Sequence, residues 1–133
     1  MALDLPPLPL YERVFGTAWM KWLRVLRDRL VIGENWQFVT FKNSWTDYAG
    51  DVGRYYKDAI GTVHLRARVA NGAAIPSTVF TLPEGYRPEY TLYFPVVANG
   101  AFGYVNVQPD GDVIILAGST IWTSLAGITF KAL

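Results

Sequence analysis

The feature that most constrains the fold is a series of short segments, from residue 34 onward, in which β-branched and aromatic residues predominate. Such residues favour strands because their side chains fit a pleated surface. Gly- and Pro-containing turn signals separate the segments, as is typical of antiparallel sandwiches. Strands are expected over eight segments, namely 35–41, 52–57, 62–69, 77–82, 91–97, 101–107, 112–117 and 127–133. The sequence therefore predicts a mainly β protein, with an antiparallel β-sandwich or jelly-roll-like head over residues 34–133.

Three dipeptides between the predicted strands have the composition of tight turns. They are Asn71-Gly72, Asn99-Gly100 and Asp110-Gly111. Asn and Asp tolerate the left-handed backbone conformation and Gly adopts it freely, so each dipeptide predicts a hairpin. Pro109 precedes the third dipeptide and fixes the first dihedral of its turn.

The segment before the sheet is different in character. Residues 1–16 are rich in Pro and Leu and predict an extended backbone, without the basic start and continuous apolar run of a signal peptide. Residues 17–33 have helical periodicity, because Trp19, Leu23, Leu26 and Leu30 recur at spacings of four, three and four. Residues 1–33 are therefore predicted to be an extended attachment peptide followed by a short trimerising helix.

The composition excludes several functions. The chain has 12 Lys and Arg against 11 Asp and Glu, which gives no electrostatic reason to expect nucleic acid as a partner. With no Cys and a single His, it cannot form a thiolate or multi-His metal site. No nucleophile elbow, phosphate-binding loop or zinc motif occurs. We therefore expect a protein that is not an enzyme, has no cofactor and does not insert into membranes.

The chain has more apolar surface than one copy is expected to bury. Strands 91–97 and 112–117 have apolar side chains on both faces, whereas a sandwich strand usually alternates. The helix adds two Trp, each of which removes about 150–250 Å² from water when buried. Either the helix covers its own sheet or another copy covers these surfaces, and the second arrangement is favoured. The predicted interface consists of Phe15, Trp19, Trp22, Leu23, Leu26, Leu30, Tyr93 and Ile114.

A series of motifs extends over residues 43–132, from a Trp-containing opening strand through K-D-x-x-G-x-V-x-L and L-P-x-G-Y-R-P to a closing strand. Its members are Trp45, Lys57, Asp58, Gly61, Val63, Leu65, Asn71, Gly72, Leu82, Pro83, Gly85, Tyr86, Arg87, Pro88, Leu125, Gly127, Ile128 and Phe130. In these motifs the chain resembles the distal domains of bacteriophage tail-fibre and receptor-binding proteins. The motifs have a structural character, and Arg87 is expected to pair with Asp58 or Glu84, with contact to a ligand as the alternative.

The resemblance implies a homotrimeric β-sandwich tip in a phage virion, made in the host cytoplasm. The leading function is then host attachment as a tail-fibre or receptor-binding head that recognises a cell-surface saccharide. Residues 1–33 would bind other virion proteins. The alternative is a capsid decoration or cement protein, or a baseplate component, attached to the particle through the same N-terminal segment.

Aromatic residues near strand ends are the candidates for a saccharide site, because sugar rings stack on Trp and Tyr. The candidates are Trp122, Trp45, Asp47, Tyr48 and Tyr56, and a place in the core is the alternative for each aromatic. His64, Arg66 and Arg68 share one face of strand 62–69. We expect this face to be solvated or to form a polar seam between copies, with contact to a sugar or phosphate as the alternative.

Overall fold

The computed structural model describes residues 17–32 and 35–133, without the helix side chains of Ala18 and residues 28–32. The elements, in chain order, are α1 Thr17–Ile32, β1 Gln37–Phe38, β2 Thr46–Asp47, β3 Arg54–Lys57, β4 Thr62–Arg66, β5 Arg68–Ala70, β6 Ser77–Thr81, β7 Leu92–Ala98, β8 Ala101–Val107, β9 Asp112–Ala117, β10 Thr123–Ser124 and β11 Thr129–Lys131. The predicted helix is confirmed. The predicted extended peptide, Phe15 and the Leu30 side chain lie outside the described residues.

The strands form two antiparallel sheets with the core between them. One sheet has four strands in the order β1-β3-β4-β11, and the other has seven in the order β2-β5-β10-β7-β8-β9-β6. Tyr55 and Val63 of the first sheet and Val69, Val105 and Ile115 of the second belong to one buried hydrophobic cluster. This arrangement confirms the predicted mainly β, sandwich-like fold.

The predicted strand over residues 62–69 is divided between the two sheets. Its first part, β4, pairs with β11, and its second part, β5, pairs with β10. The chain bends at the buried Ala67, whose carbonyl accepts a hydrogen bond from the Leu125 amide at 2.8 Å. Residues 62–70 and 123–131 therefore form one bent antiparallel ribbon that connects the sheets. The alternation of side chains continues through the bend, so His64, Arg66 and Arg68 all point outward.

Two of the three predicted hairpin turns are confirmed. Asn99 and Gly100, with φ of 48° and 81°, connect β7 to β8. Gly111, with φ of 92°, closes the turn between β8 and β9 by donating its amide to the carbonyl of Gln108 at 2.8 Å. The prediction at Asn71-Gly72 was wrong, because β5 pairs with β2 and β10 and not with the following β6. Gly72 instead lies against the ring of Trp45.

The described helix side chains are outside the core. The core cluster and the apolar residues packed on it come from residues 39–132. In α1, Trp19 and Trp22 are in edge-to-face contact with ring centroids 6.1 Å apart, and Leu23 is 46% exposed. Within the described part of the chain, no helix is long and apolar enough to cross a membrane.

The outer face of the seven-stranded sheet is apolar along β7 and β8. In the register of these strands Tyr93 lies opposite Asn106, and Val97 lies opposite Phe102. Tyr93, Val97 and Phe102 are 64%, 55% and 74% exposed, respectively. Asn106 also lies opposite Ile114 of β9, and its buried Oδ1 has no hydrogen-bond partner among the described residues. The predicted interface residues Tyr93 and Ile114 thus share one outward surface.

Candidate functional site

A row of aromatic side chains crosses the outer face of the four-stranded sheet. Tyr56 of β3 lies opposite His64 of β4, and their rings stack with centroids 4.6 Å apart and an angle of 9° between planes. Trp36, just before β1, contacts Tyr56 edge-on, with ring centroids 4.5 Å apart. The row forms because outward positions of neighbouring strands align across a sheet. We call Trp36, Tyr56 and His64 the aromatic row.

Two arginines form the next row of the same face. Arg54 and Arg66 lie directly opposite each other in the β3–β4 register. The guanidinium carbon of Arg54 lies 5.2 Å from the centre of the Trp36 ring, within cation–π distance. The Arg66 side chain is exposed. Two like charges in directly opposite positions repel each other, so this pair costs stability in the unliganded protein.

His64 is held by the turn that connects β3 and β4. Its Nε2 lies 2.9 Å from Oδ2 of Asp58, while the other carboxylate oxygen accepts the amides of Ile60 and Thr62 at 3.1 and 2.9 Å. Burial raises the pKa of Asp58, but the hydrogen bonds from His64 and from these two amides outweigh it, together with the charge of His64. The net pKa lies below the ordinary value of 3.8. Asp58 is therefore ionised at neutral pH and orients the imidazole.

A second group of side chains lies beyond the bend of the ribbon. Tyr48 and Trp122 stack with centroids 6.3 Å apart, and the guanidinium carbon of Arg68 lies 5.0 Å from the Tyr48 ring and 5.8 Å from the Trp122 ring. Asp51 Oδ2 lies 3.8 Å from Arg68 Nε. We call Tyr48, Asp51, Arg68 and Trp122 the Trp122 group. It presents an aromatic surface with a charge-neutral ion pair.

A surface cavity of about 450 Å³ adjoins both groups. Its lining residues are Trp36, Asp51, Tyr56, His64, Leu65, Arg66, Ala126, Gly127 and Thr129. The cavity thus combines an aromatic wall, an exposed guanidinium and a carboxylate. Such a combination suits a saccharide, because aromatic faces pack against the apolar face of a sugar ring while charged groups fix its orientation.

The structure brings three of the five sequence-predicted site residues to this surface. Tyr56 belongs to the aromatic row, and Tyr48 and Trp122 belong to the Trp122 group. Asp47 lies beside them, where its Oδ1 accepts the Gly53 amide at 2.7 Å. Trp45 is 2% exposed and donates its indole N–H to Ser77 Oγ. Since a buried ring cannot stack on a sugar, this candidate has the core position that was its alternative.

The expected pairing of Arg87 with a carboxylate was wrong. Its Nε donates to the carbonyl of Leu82 at 2.8 Å, while Asp58 is engaged by His64. The motif L-P-x-G-Y-R-P thus forms a turn at Gly85, which has a φ of 88°. Arg87 stabilises this turn through its hydrogen bond to Leu82, the first residue of the motif. This motif stabilises the fold and is separate from the cavity.

Trp36 and Arg54 belong to the site although the sequence analysis did not single them out. Both are outward residues of the sheet, and the register of β1 with β3 brings them beside Tyr56. The available signal was the outward position of Arg54, two residues before Tyr56. That signal needs the strand register, which local sequence does not specify.

Comparisons with known proteins test the resemblance. No family model matches the chain, and no curated protein matches it. Among solved structures, the chain is similar to the receptor binding protein (gp15) of Listeria phage PSA, with a TM-score of 0.63 and 19% identity. The match covers 92% of this chain and 82% of that one. At this identity the likeness concerns the fold, and this chain has the fold of a phage receptor-binding protein.

Proposed function

We propose that the chain is the head of a phage receptor-binding protein and attaches the virion to a host cell-surface saccharide. The observation that carries the proposal is the outer face of the four-stranded sheet, where the aromatic row and the exposed Arg66 line one cavity. A solvated sheet face has no need of stacked aromatic rings, whereas a sugar-binding surface does. The protein acts by binding, without catalysis.

The fold likeness supports this proposal. The similar protein is itself named as a receptor binding protein of a phage. A fold alone does not carry a function, so the argument depends on the site described above. The Trp122 group extends the aromatic surface to the other side of the bend and provides a second place for a neighbouring sugar residue.

A homotrimer is part of the same proposal. The apolar outer face of β7 and β8 leaves Phe102 74% exposed and Tyr93 64% exposed in a single copy. Contiguous apolar surface of this kind is typical of protein interfaces. The aromatic row belongs to the other sheet, so an interface on β7 and β8 leaves the saccharide site accessible. Several weak sites on one particle then bind a cell surface strongly through multivalency.

The proposal is tested with the full chain on an array of bacterial surface polysaccharides and on intact bacterial cells. We expect binding to cells and to a subset of the array, and a loss of at least about tenfold in Trp36→Ala and Trp122→Ala, since stacking on an aromatic ring contributes to sugar affinity. Tyr90→Ala is the matched control, because Tyr90 is 70% exposed and lies outside the cavity.

Two outcomes would contradict the proposal. Binding that is equally strong in wild type, Trp36→Ala and Trp122→Ala would exclude this surface as the site. Binding to purified virions together with no binding to cells or polysaccharides would instead support the decoration, cement or baseplate alternative.

A further inference from the structure

The arginine pair on the outer sheet face lacks an opposing charge. Arg54 and Arg66 lie opposite each other in register, and the described carboxylates nearby are already engaged. Asp58 pairs with His64 at 2.9 Å, and Asp51 pairs with Arg68 at 3.8 Å. The structure therefore concentrates two positive charges beside the aromatic row.

The environment of Arg54 makes this arrangement costly without a ligand. Its Nε is buried and has no hydrogen-bond partner among the described residues, while its guanidinium lies over Trp36. A buried donor without an acceptor costs free energy. The rest of the Arg54 side chain is half-buried, so its charge is only partly solvated. Arg66, in contrast, is exposed and lines the cavity. One anion bound between them would relieve the repulsion and could accept hydrogen bonds from both.

We propose that the saccharide recognised by this surface is anionic, and that its negatively charged group binds between Arg54 and Arg66 while its ring stacks on the aromatic row. This inference rests on the proposed function and specifies its ligand class. Guanidinium groups bind carboxylates and phosphates through paired hydrogen bonds, so a uronic acid and a sugar phosphate share the required chemistry. Asp51 does not oppose binding because Arg68 neutralises it.

The test uses two pairs of probes, each an acidic saccharide and its neutral counterpart. Oligogalacturonate is compared with its methyl ester, and mannose 6-phosphate with mannose, by titration of the full chain with tryptophan fluorescence as the readout. We expect at least one acidic probe to bind about tenfold or more tightly than its neutral counterpart, and its affinity to fall as salt is raised. The pair that shows this difference distinguishes a carboxylate from a phosphate.

Substitutions at the arginine pair test whether the anionic group binds there. Arg66→Gln should lose at least about tenfold in affinity for the acidic probe, and Arg66→Lys should keep part of it, since charge-assisted hydrogen bonds are the strong ones. Arg24→Gln removes the same charge from an exposed helix position and should bind as wild type does. Without ligand, Arg66→Gln should melt at the same temperature as wild type or higher, because repulsion is removed.

Three results would each overturn the inference. They are neutral probes that bind as tightly as acidic ones, no binding by either acidic probe, and an Arg66→Gln variant with unchanged affinity. An Arg66→Gln variant that melts well below wild type would also do so, since Arg66 would then be structural. Failure of this inference is distinguishable from failure of the proposed function. In the first case Trp36→Ala still weakens binding to neutral array members by at least about tenfold, and in the second no polysaccharide binds at all.

Discussion

Gly72 shows how a single missing side chain shapes the core. A Cβ built on this residue would lie 2.2 Å from the ring of Trp45, although its φ is outside the left-handed region that favours glycine. The constraint is therefore space and not conformation. Trp45 fills that space, and its indole N–H donates to Ser77 Oγ at 2.8 Å. The pair fixes the chain where it leaves β5.

Gly72→Ala is predicted to destabilise the fold by about 1–3 kcal/mol, because the new methyl group overpacks the Trp45 ring. Urea unfolding of both proteins measures the difference. Trp45→Phe in the same background should give a double variant that is more stable than the sum of the single effects, since the smaller ring makes room. A Gly72→Ala variant within about 0.5 kcal/mol of wild type would show that the ring moves at little cost.

The elements differ in how far they could be predicted from the sequence. The helix, the long strands and two hairpins follow from periodicity and turn chemistry, which are local. Strands β2 and β10 have only two residues each, which is too short to show a period. The division of residues 62–69 at Ala67 was not predictable, because the alternation of side chains is the same on both sides of the bend. Asn71-Gly72 has a turn composition, but tertiary packing against Trp45 determines its role.

The site was predictable to a similar extent. Tyr48, Tyr56 and Trp122 could be identified as aromatics near strand ends, and two of them lie in one stacked group around Arg68. Their combination with Trp36 depends on strand pairing. That pairing involves residues some twenty positions apart, and local patterns carry no information at this distance.

The turn between β3 and β4 gives a pH-dependent prediction. The pKa of Asp58 is lowered in the folded protein, so its ionised form favours folding above the ordinary pKa of 3.8. This contribution is lost as the pH falls below 3.8 through the folded-state pKa. Asp58→Asn should therefore be less stable than wild type by about 0.5–1.5 kcal/mol at neutral pH, the usual contribution of a hydrogen bond. The difference should shrink in acid.

Urea unfolding of wild type and Asp58→Asn at about pH 7 and about pH 3 measures this change. Asp110→Asn is the matched control, because Asp110 accepts the Asp112 amide in the corresponding turn between β8 and β9 and has no histidine partner. The explanation fails if the difference between wild type and Asp58→Asn is the same at both pH values.

At the scale of the whole molecule, the two sheets present different outer faces. The four-stranded sheet displays aromatic and cationic side chains around a cavity, and the seven-stranded sheet displays apolar side chains along β7 and β8. Under the proposed function, the first face binds the saccharide and the second forms the trimer, so the two roles do not compete for one surface. Phe102 is the most exposed member of the second face.

We predict that the full chain sediments as a trimer at micromolar concentration, and that Phe102→Lys raises its dissociation constant at least about tenfold, since a desolvated charge would replace a buried ring. Ile60→Lys is the control, because Ile60 is 69% exposed on the turn between β3 and β4. Analytical ultracentrifugation reports the result. A compact single-chain species at this concentration would contradict the prediction.

The bend at Ala67 has a kinetic consequence. Arg66 and Arg68 belong to different sheets, yet they are two positions apart on one continuous peptide. Under the proposed function, one continuous peptide therefore sets the distance between the two parts of the contact surface, and binding requires no rearrangement of this segment. Because the single sites of the proposed multivalent head are weak, a virion would exchange one saccharide contact for the next and move across the cell surface before it attaches firmly.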